Sequence, residues 1–227
     1  MDIKLNFVEH GEGFPLVMLH GNGEDYTYFK RQMEPFSQHY RVIVVETRGH
    51  GQSPRGEAPF TLEQFSEDLK CFLDEQGIDR CHLLGFSDGG NIAMLFTLKY
   101  PQYVEKLVLN GANMWPEGLS EELQQEVCEK WHRYQEQGLD DPYVRREWEM
   151  QDLMMTQPHI DPNHLAAFTM PTLVVAGEND VIQESHTRLI AQSIPGSRLE
   201  ILPGDHFVAR RNWEMFNPLV LDFLAED

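Results

Sequence analysis

Short, nearly uninterrupted apolar runs recur along the chain, separated by stretches in which apolar residues fall every three or four positions. Leu16-Val17-Met18-Leu19, Val42-Ile43-Val44-Val45, His82-Leu83-Leu84, Val104 to Leu109, Leu173-Val174-Val175-Ala176 and Arg198 to Leu202 predict six strands, and the continuous runs among them suit strands buried on both faces. Ile3 to Glu9 alternates apolar with polar residues, as an edge strand does. Between these, Tyr28 to Gln38 and Thr61 to Glu75 have helical spacing, the second at Leu62, Phe65, Leu69, Phe72 and Leu73 behind the N-cap residue Thr61. Strand and helix alternate, which predicts the α/β class with a mostly parallel sheet flanked by helices.

The alternation breaks once. Leu119, Leu123, Val127, Trp131 and Tyr134 mark one amphipathic helix; Asp141-Pro142 opens another through Val144, Trp148 and Met155, and Asp161-Pro162 a last short one before the chain returns to the sheet at Pro171. The predicted organisation is therefore a core of residues 1–111 and 167–227 with an all-helical insertion at 112–166.

One predicted strand leads straight into Gly85-Phe86-Ser87-Asp88-Gly89-Gly90 and then into the helical segment Asn91 to Leu98. A serine on such a strand-to-helix turn is held alone in a strained conformation, and Gly85 and Gly89 let the turn pack against its neighbours. The turn also sets the Asp88 N–H at the positive end of the helix, where an oxyanion can be met. A serine needs a base and an acid to become a nucleophile at neutral pH. His206, in Gly204-Asp205-His206-Phe207, follows the last strand and so reaches the same sheet edge as Ser87. The acid is expected after serine and before histidine. Gly177-Glu178-Asn179-Asp180 is the acidic loop there, with Asp180 preferred over Glu178. His20-Gly21-Asn22-Gly23, at the end of another buried strand, offers Asn22 N–H as a second oxyanion donor. His20 and His50 are expected to be structural hydrogen-bonders in glycine turns; the other histidines, His82 and His186 among them, are taken as surface or insertion residues.

Length and composition narrow the class further. With 227 residues and 41% hydrophobic content, one sizeable core is expected. A formal charge of -19 repels phosphate backbones and anionic lipid, so neither nucleic acid nor membrane partners are expected. Three cysteines at unrelated spacings suggest reduced thiols and no zinc. No apolar run reaches the roughly 18 residues of a membrane span, and the start lacks a charged-then-apolar leader, so a soluble cytoplasmic protein is expected.

Taken together, His20-Gly21-Asn22-Gly23, Arg48-Gly49-His50-Gly51-Gln52-Ser53, Gly85 to Gly90, Met170-Pro171-Thr172-Leu173 through Asp180, and Gly204-Asp205-His206 resemble the α/β-hydrolase superfamily over nearly the whole chain outside the insertion. The resemblance implies Ser87 as nucleophile, Asp180 as acid, His206 as base and the N–H groups of Asn22 and Asp88 as oxyanion hole, with the insertion as the cap. Glu46 stands where the family often has aspartate, and the N-terminus lacks one edge strand. The serine argues against the haloalkane dehalogenase and epoxide hydrolase branches, which attack through aspartate. The expected activity is hydrolysis of a small-molecule carboxylic ester through an acyl-enzyme, without metal or cofactor. A thioesterase, lactonase, carbon–carbon bond hydrolase or proline iminopeptidase-like enzyme would use the same residues, and a slow-turnover ligand receptor is the reading of another class. Trp115, Trp131, Trp148 and Phe207 are candidate substrate contacts. For charge, the Asp88 carboxylate either bonds within its turn or meets a cationic substrate group, and Arg133, Arg145 and Arg146 would instead favour a carboxylate-bearing one.

Overall fold

The computed structural model describes residues 2–226. Seven strands, β1 (Phe7–His10), β2 (Pro15–Leu19), β3 (Arg41–Val45), β4 (Cys81–Phe86), β5 (Val104–Asn110), β6 (Thr172–Asn179) and β7 (Arg198–Asp205), form one sheet in the spatial order β1-β3-β2-β4-β5-β6-β7. Only β1 runs antiparallel. Every residue of β4, the central strand, is buried, which is why it shows no polar alternation. Leu19 of β2 and Leu109 of β5 both stand in register with Gly85 of β4, so the three strands end level. The loops that follow them share one edge of the sheet, and that edge holds the candidate site.

Among the described residues eight α-helices accompany the strands: α1 (Lys30–Ser37), α2 (Leu62–Glu75), α3 (Asp88–Lys99), α4 (Glu121–Gln137), α5 (Pro142–Thr156), α6 (Glu184–Ser193), α7 (Val208–Arg211) and α8 (Trp213–Ala225). The apolar faces of α2, α3 and α6 cover one side of the sheet, and those of α1 and α8 the other. The Thr61 hydroxyl accepts from Gln64 N at 3.1 Å to start α2, a cap worth about 1 kcal/mol. Among the described residues no helix is long and apolar enough to cross a membrane.

Several details depart from the sequence reading. Instead of one helix from Tyr28, a 3-10 turn over Tyr26–Phe29 precedes α1, because the Asp25 carboxylate accepts from Thr27 N at 2.7 Å and starts the turn early. β1 begins at Phe7, since Asp2 is drawn to the Arg48 guanidinium at 2.6 Å and the chain leaves the ladder. His82 and His186 are buried, not surface residues. His82 packs against Phe14 and Tyr40, and burial holds its pKa down at about 4. His186 Nε2 accepts from Met114 N at 2.8 Å, and its pKa too is lowered by burial to about 4; it is a neutral acceptor pinning the chain where it leaves the sheet.

Between β5 and β6 the chain forms α4 and α5, which pack on each other. Ser120 and Asp141 cap them through Leu123 N (3.3 Å) and Tyr143 N (2.8 Å). The pair is tied to the core by Arg55, which grips the Glu149 carboxylate through Nε and Nη2 (2.7 Å for the closest contact), and by Gln157, whose side-chain oxygen accepts from Leu62 N at 2.9 Å.

Candidate active site

The turn after β4 is built around a backbone that no other described non-glycine residue adopts: Ser87 has φ 53° and ψ -121°. Such a conformation costs roughly 1–3 kcal/mol. It is over-determined by its surroundings, because Ser87 N donates to Asn110 O at 2.8 Å while Ser87 O accepts from Gly90 N and Asn91 N at 2.8 and 3.1 Å. A Cβ on Gly85 would lie 2.2 Å from Gly89 O, and one on Gly89 would lie 2.2 Å from Leu19 O. Both glycines are therefore fixed by close backbone approach.

Across the same edge, the loop after β7 carries His206 and the loop after β6 carries Asp180, with His206 Nδ1 2.6 Å from Asp180 Oδ1. A carboxylate only accepts, so Nδ1 holds the proton and Nε2 keeps its lone pair. The Asp180 side chain is 2% exposed and is itself oriented by Ile182 N at 2.9 Å and Gly177 N at 3.3 Å. Gly111, at φ +60°, leaves the room that His206 fills: a Cβ there would meet the imidazole Cε1 at 2.8 Å. The sequence reading did not single out Gly111, although a glycine one residue past β5 is the signal that would have pointed to it.

Ser87 and His206 line one cavity of about 510 Å³ together with Gly21, Asn22, Phe86, Asp88 and Phe207 of the sheet edge. No acceptor among the described residues takes the N–H of Asn22 or of Asp88, the first residue of α3. The Asn22 side chain reaches up to α5, donating to Met150 O at 2.7 Å. Leu119, Leu123, Met154, Glu126, Lys130 and Gln157 supply the roof. Of the expected substrate contacts, only Phe207 lines the cavity. Trp131 and Trp148 are spent on joining α4 to α5, their rings 5.9 Å apart and Trp131 Nε1 donating to Asp152 at 2.8 Å. Trp115 stands edge-on to His186 at 4.6 Å and packs against the core. Arg133, Arg145 and Arg146 do not line it either; Arg146, for one, bonds Glu147 at 2.7 Å.

Asp88 is 9% exposed. Its Oδ1 accepts from Asn91 Nδ2 at 3.1 Å; Asn91 Nδ2 also donates to Asn113 Oδ1 at 2.9 Å, and Asn91 Oδ1 accepts from Asn113 N at 2.8 Å. This buried amide network escaped the sequence reading because its members are far apart in the chain. Asp88 Oδ2 is buried without a partner, and burial pushes the carboxyl pKa up to about 6, against the opposing pull of Asn91 and His206.

His20 and His50 behave as expected of structural groups. His20 Nδ1 donates to Gly21 O at 2.8 Å and Nε2 accepts from Thr47 N at 3.2 Å; burial lowers the pKa of both rings, that of His50 to about 3. Glu46, the glutamate in the aspartate position, receives Gln52 N at 2.7 Å and Asn6 Nδ2 at 2.9 Å and holds the turn.

Comparison with known proteins agrees with this architecture. The family model described as alpha/beta hydrolase fold matches residues 15–128. "Serine hydrolase BPHL" of Mus musculus is 28% identical over 98% of this chain and 83% of its own length. A 2-hydroxy-6-oxononadienedioate/2-hydroxy-6-oxononatrienedioate hydrolase of Cupriavidus pinatubonensis is 32% identical over 92% of this chain and 86% of its own. Among solved structures, a hydrolase from Pseudomonas aeruginosa superposes with a TM-score of 0.83 at 28% identity, covering 99% of this chain and 95% of that one. With a central parallel sheet, a strained serine turn and relatives of this kind, the chain belongs to the α/β-hydrolase family and is a hydrolase of that fold.

Proposed function

We propose that the protein hydrolyses carboxylic esters by an acyl-enzyme mechanism. The observation that carries this reading is the buried Asp180–His206 pair opening onto the same cavity as the strained Ser87. Ser87 Oγ attacks the ester carbonyl carbon as its proton passes to His206 Nε2. The carbonyl oxygen becomes an oxyanion facing the N–H groups of Asn22 and Asp88. The carbon–oxygen bond to the alcohol then breaks, and His206 returns the proton to the leaving alkoxide. Water repeats the sequence on the acyl-serine: His206 takes its proton, the acid is released and Ser87 regains its hydrogen. Steady-state turnover of an activated short-chain ester by purified protein tests the reading, and absence of turnover with intact fold would favour a ligand receptor.

A second reading, hydrolysis of a dienedioate such as the Cupriavidus relative is named for, draws support from that likeness. The charges lining the cavity oppose it: Glu24, Asp88 and Glu126 face a single cation, Lys130. With the overall -19, this favours neutral or cationic substrates over a dianion. Matched esters differing only in charge are expected to rank neutral or cationic above anionic in kcat/KM at low salt, with a gap that narrows as salt screens the field. Faster hydrolysis of the anionic ester, slowed by salt, would overturn that ranking.

The pH dependence follows from Asp88. Above pH 6 its unpartnered oxygen carries charge and attracts an ammonium group; below, protonation removes the attraction. The cationic-to-neutral ratio of kcat/KM is therefore expected to fall as pH drops through about 6, and to become flat in Asp88→Asn. Both esters share the same triad, which cancels in the ratio, and the Asp88→Asn variant separates Asp88 from Glu24, the other cavity carboxyl that burial shifts upward. A flat ratio in the unmodified protein would show that the carboxylate does not meet the substrate.

A further inference from the structure

A second cleft, of about 320 Å³, lies between the 3-10 turn with the start of α1 and the short helix α7. It gathers Lys30, Arg31, Arg210 and Arg211, four of the 18 lysines and arginines of a chain with net charge -19. Two of these are unspent: neither Lys30 nor Arg31 has a carboxylate within 4.0 Å among the described residues, and Arg31 rests its guanidinium over Trp213 at 5.4 Å. Arg210 reaches only Glu24, at 3.9 Å. The acids nearby are Glu24, Asp25, Asp205 and, one turn further along α1, Glu34, which shares a neighbouring cleft with Lys30 and Arg31 but makes no ion pair with either within 4.0 Å. Asp25 is engaged by Thr27 N at 2.7 Å, and Asp205 by Arg211 and by Phe207 N at 3.0 Å.

The second observation is Tyr28. It is among the residues around this cleft, is 1% exposed, and its buried hydroxyl has no hydrogen-bond partner among the described residues. The ring is fixed by stacking on Phe86, 4.0 Å away and 7° from parallel. Burial, and then the nearby Glu24, raise its pKa well above that of an ordinary phenol, so the hydroxyl stays a donor. A buried donor left unmet is costly. Lys30 and Arg31, with Arg210 held only loosely by Glu24 at 3.9 Å, leave the cleft with more donors than acceptors, and the unmet Tyr28 O–H lies in one of its lining residues. A tetrahedral dianion, with several acceptor oxygens for forked guanidinium groups, answers that excess of donors better than a chloride or a monovalent carboxylate.

We propose that this cleft binds a phosphate group, either inorganic phosphate or a phosphomonoester, as an effector separate from the substrate. Arg210 links the two sites. Its partner Glu24 lines the 510 Å³ cavity, so a phosphate that draws Arg210 away leaves the substrate pocket more negative and sharpens its preference for cationic over anionic esters.

Isothermal titration at low ionic strength tests the site without relying on turnover. Inorganic phosphate and methyl phosphate are titrated separately into the full-length protein, with sodium chloride at matched ionic strength as the control. The expected result is saturable 1:1 binding of at least one phosphate probe; the tighter one identifies the source. Affinity is expected to weaken about tenfold or more in the Lys30→Ala/Arg31→Ala double variant, which alters exposed side chains, and several-fold in Tyr28→Phe, which keeps the stacked ring. Non-saturable heats equal to those of chloride, or affinity unchanged in both variants, would overturn the proposal.

Discussion

Ser87→Ala is expected to lower turnover of an activated ester by about 10³-fold or more, and His206→Ala by a similar factor, because a nucleophile and its base act as one unit. The double variant is accordingly expected to be little worse than either single one. The fold should survive both changes. Alanine at position 87 keeps the backbone bonds to Asn110, Gly90 and Asn91 that hold the turn, and in His206→Ala the Asp180 carboxylate keeps the bonds it accepts from Ile182 N and Gly177 N. Steady-state rates beside thermal melting curves check this. Turnover retained within a few-fold in Ser87→Ala, with an unchanged melting curve, would mean that another group attacks the substrate.

The acid is the second large effect. Asp180→Asn is expected to reduce kcat on the order of 10²- to 10⁴-fold, since an amide at that position no longer selects the imidazole tautomer with the proton on Nδ1. Glu178→Gln should change kcat very little. The chain geometry explains the contrast: Glu178 lies on the exposed end of β6, whereas Asp180 lies in the turn beyond it, its carboxylate bonded to Ile182 N and to the histidine at once. The loss in Asp180→Asn should fall on kcat more than on KM, because the carboxylate orients the base and does not line the cavity. Should Glu178→Gln prove the more damaging, the acid would be reassigned to it.

The parts of this architecture that local chemistry dictates could be read from the sequence. Val42 to Val45 is a β-branched apolar run that reads as a buried strand from composition alone, Thr61 and Asp141 cap helices through their own neighbours, and a glycine-flanked serine between strand and helix needs no distant partner to be noticed. The acid and the histidine could be placed because each follows a predicted strand and so reaches the sheet edge that carries the serine turn. Features set by long-range packing were hidden. Nothing local distinguishes His186, which turns its ring toward Met114 across 72 positions, from an exposed histidine on a helix. The tryptophans of the insertion looked like pocket walls because aromatic residues suit both a ligand and a helix interface; which use they serve depends on how α4 meets α5, and there Asp152 claims Trp131. Leu119, Leu123 and Met154 supply the apolar part of the roof instead, beside Glu126, Lys130 and Gln157. The helices after β6 and β7 went unassigned, α8 because it is apolar on most sides and carries Pro218 within it, leaving no single stripe to recognise.

The central claim, that Ser87 is the atom that attacks, has one direct measurement. A fluorophosphonate reacts covalently with a serine only when that serine is activated. Intact-mass and peptide mass spectrometry after labelling should show a single adduct on the peptide containing Ser87, abolished in Ser87→Ala and strongly slowed in His206→Ala. An adduct that forms on a different residue, or that persists undiminished in Ser87→Ala, would contradict the account.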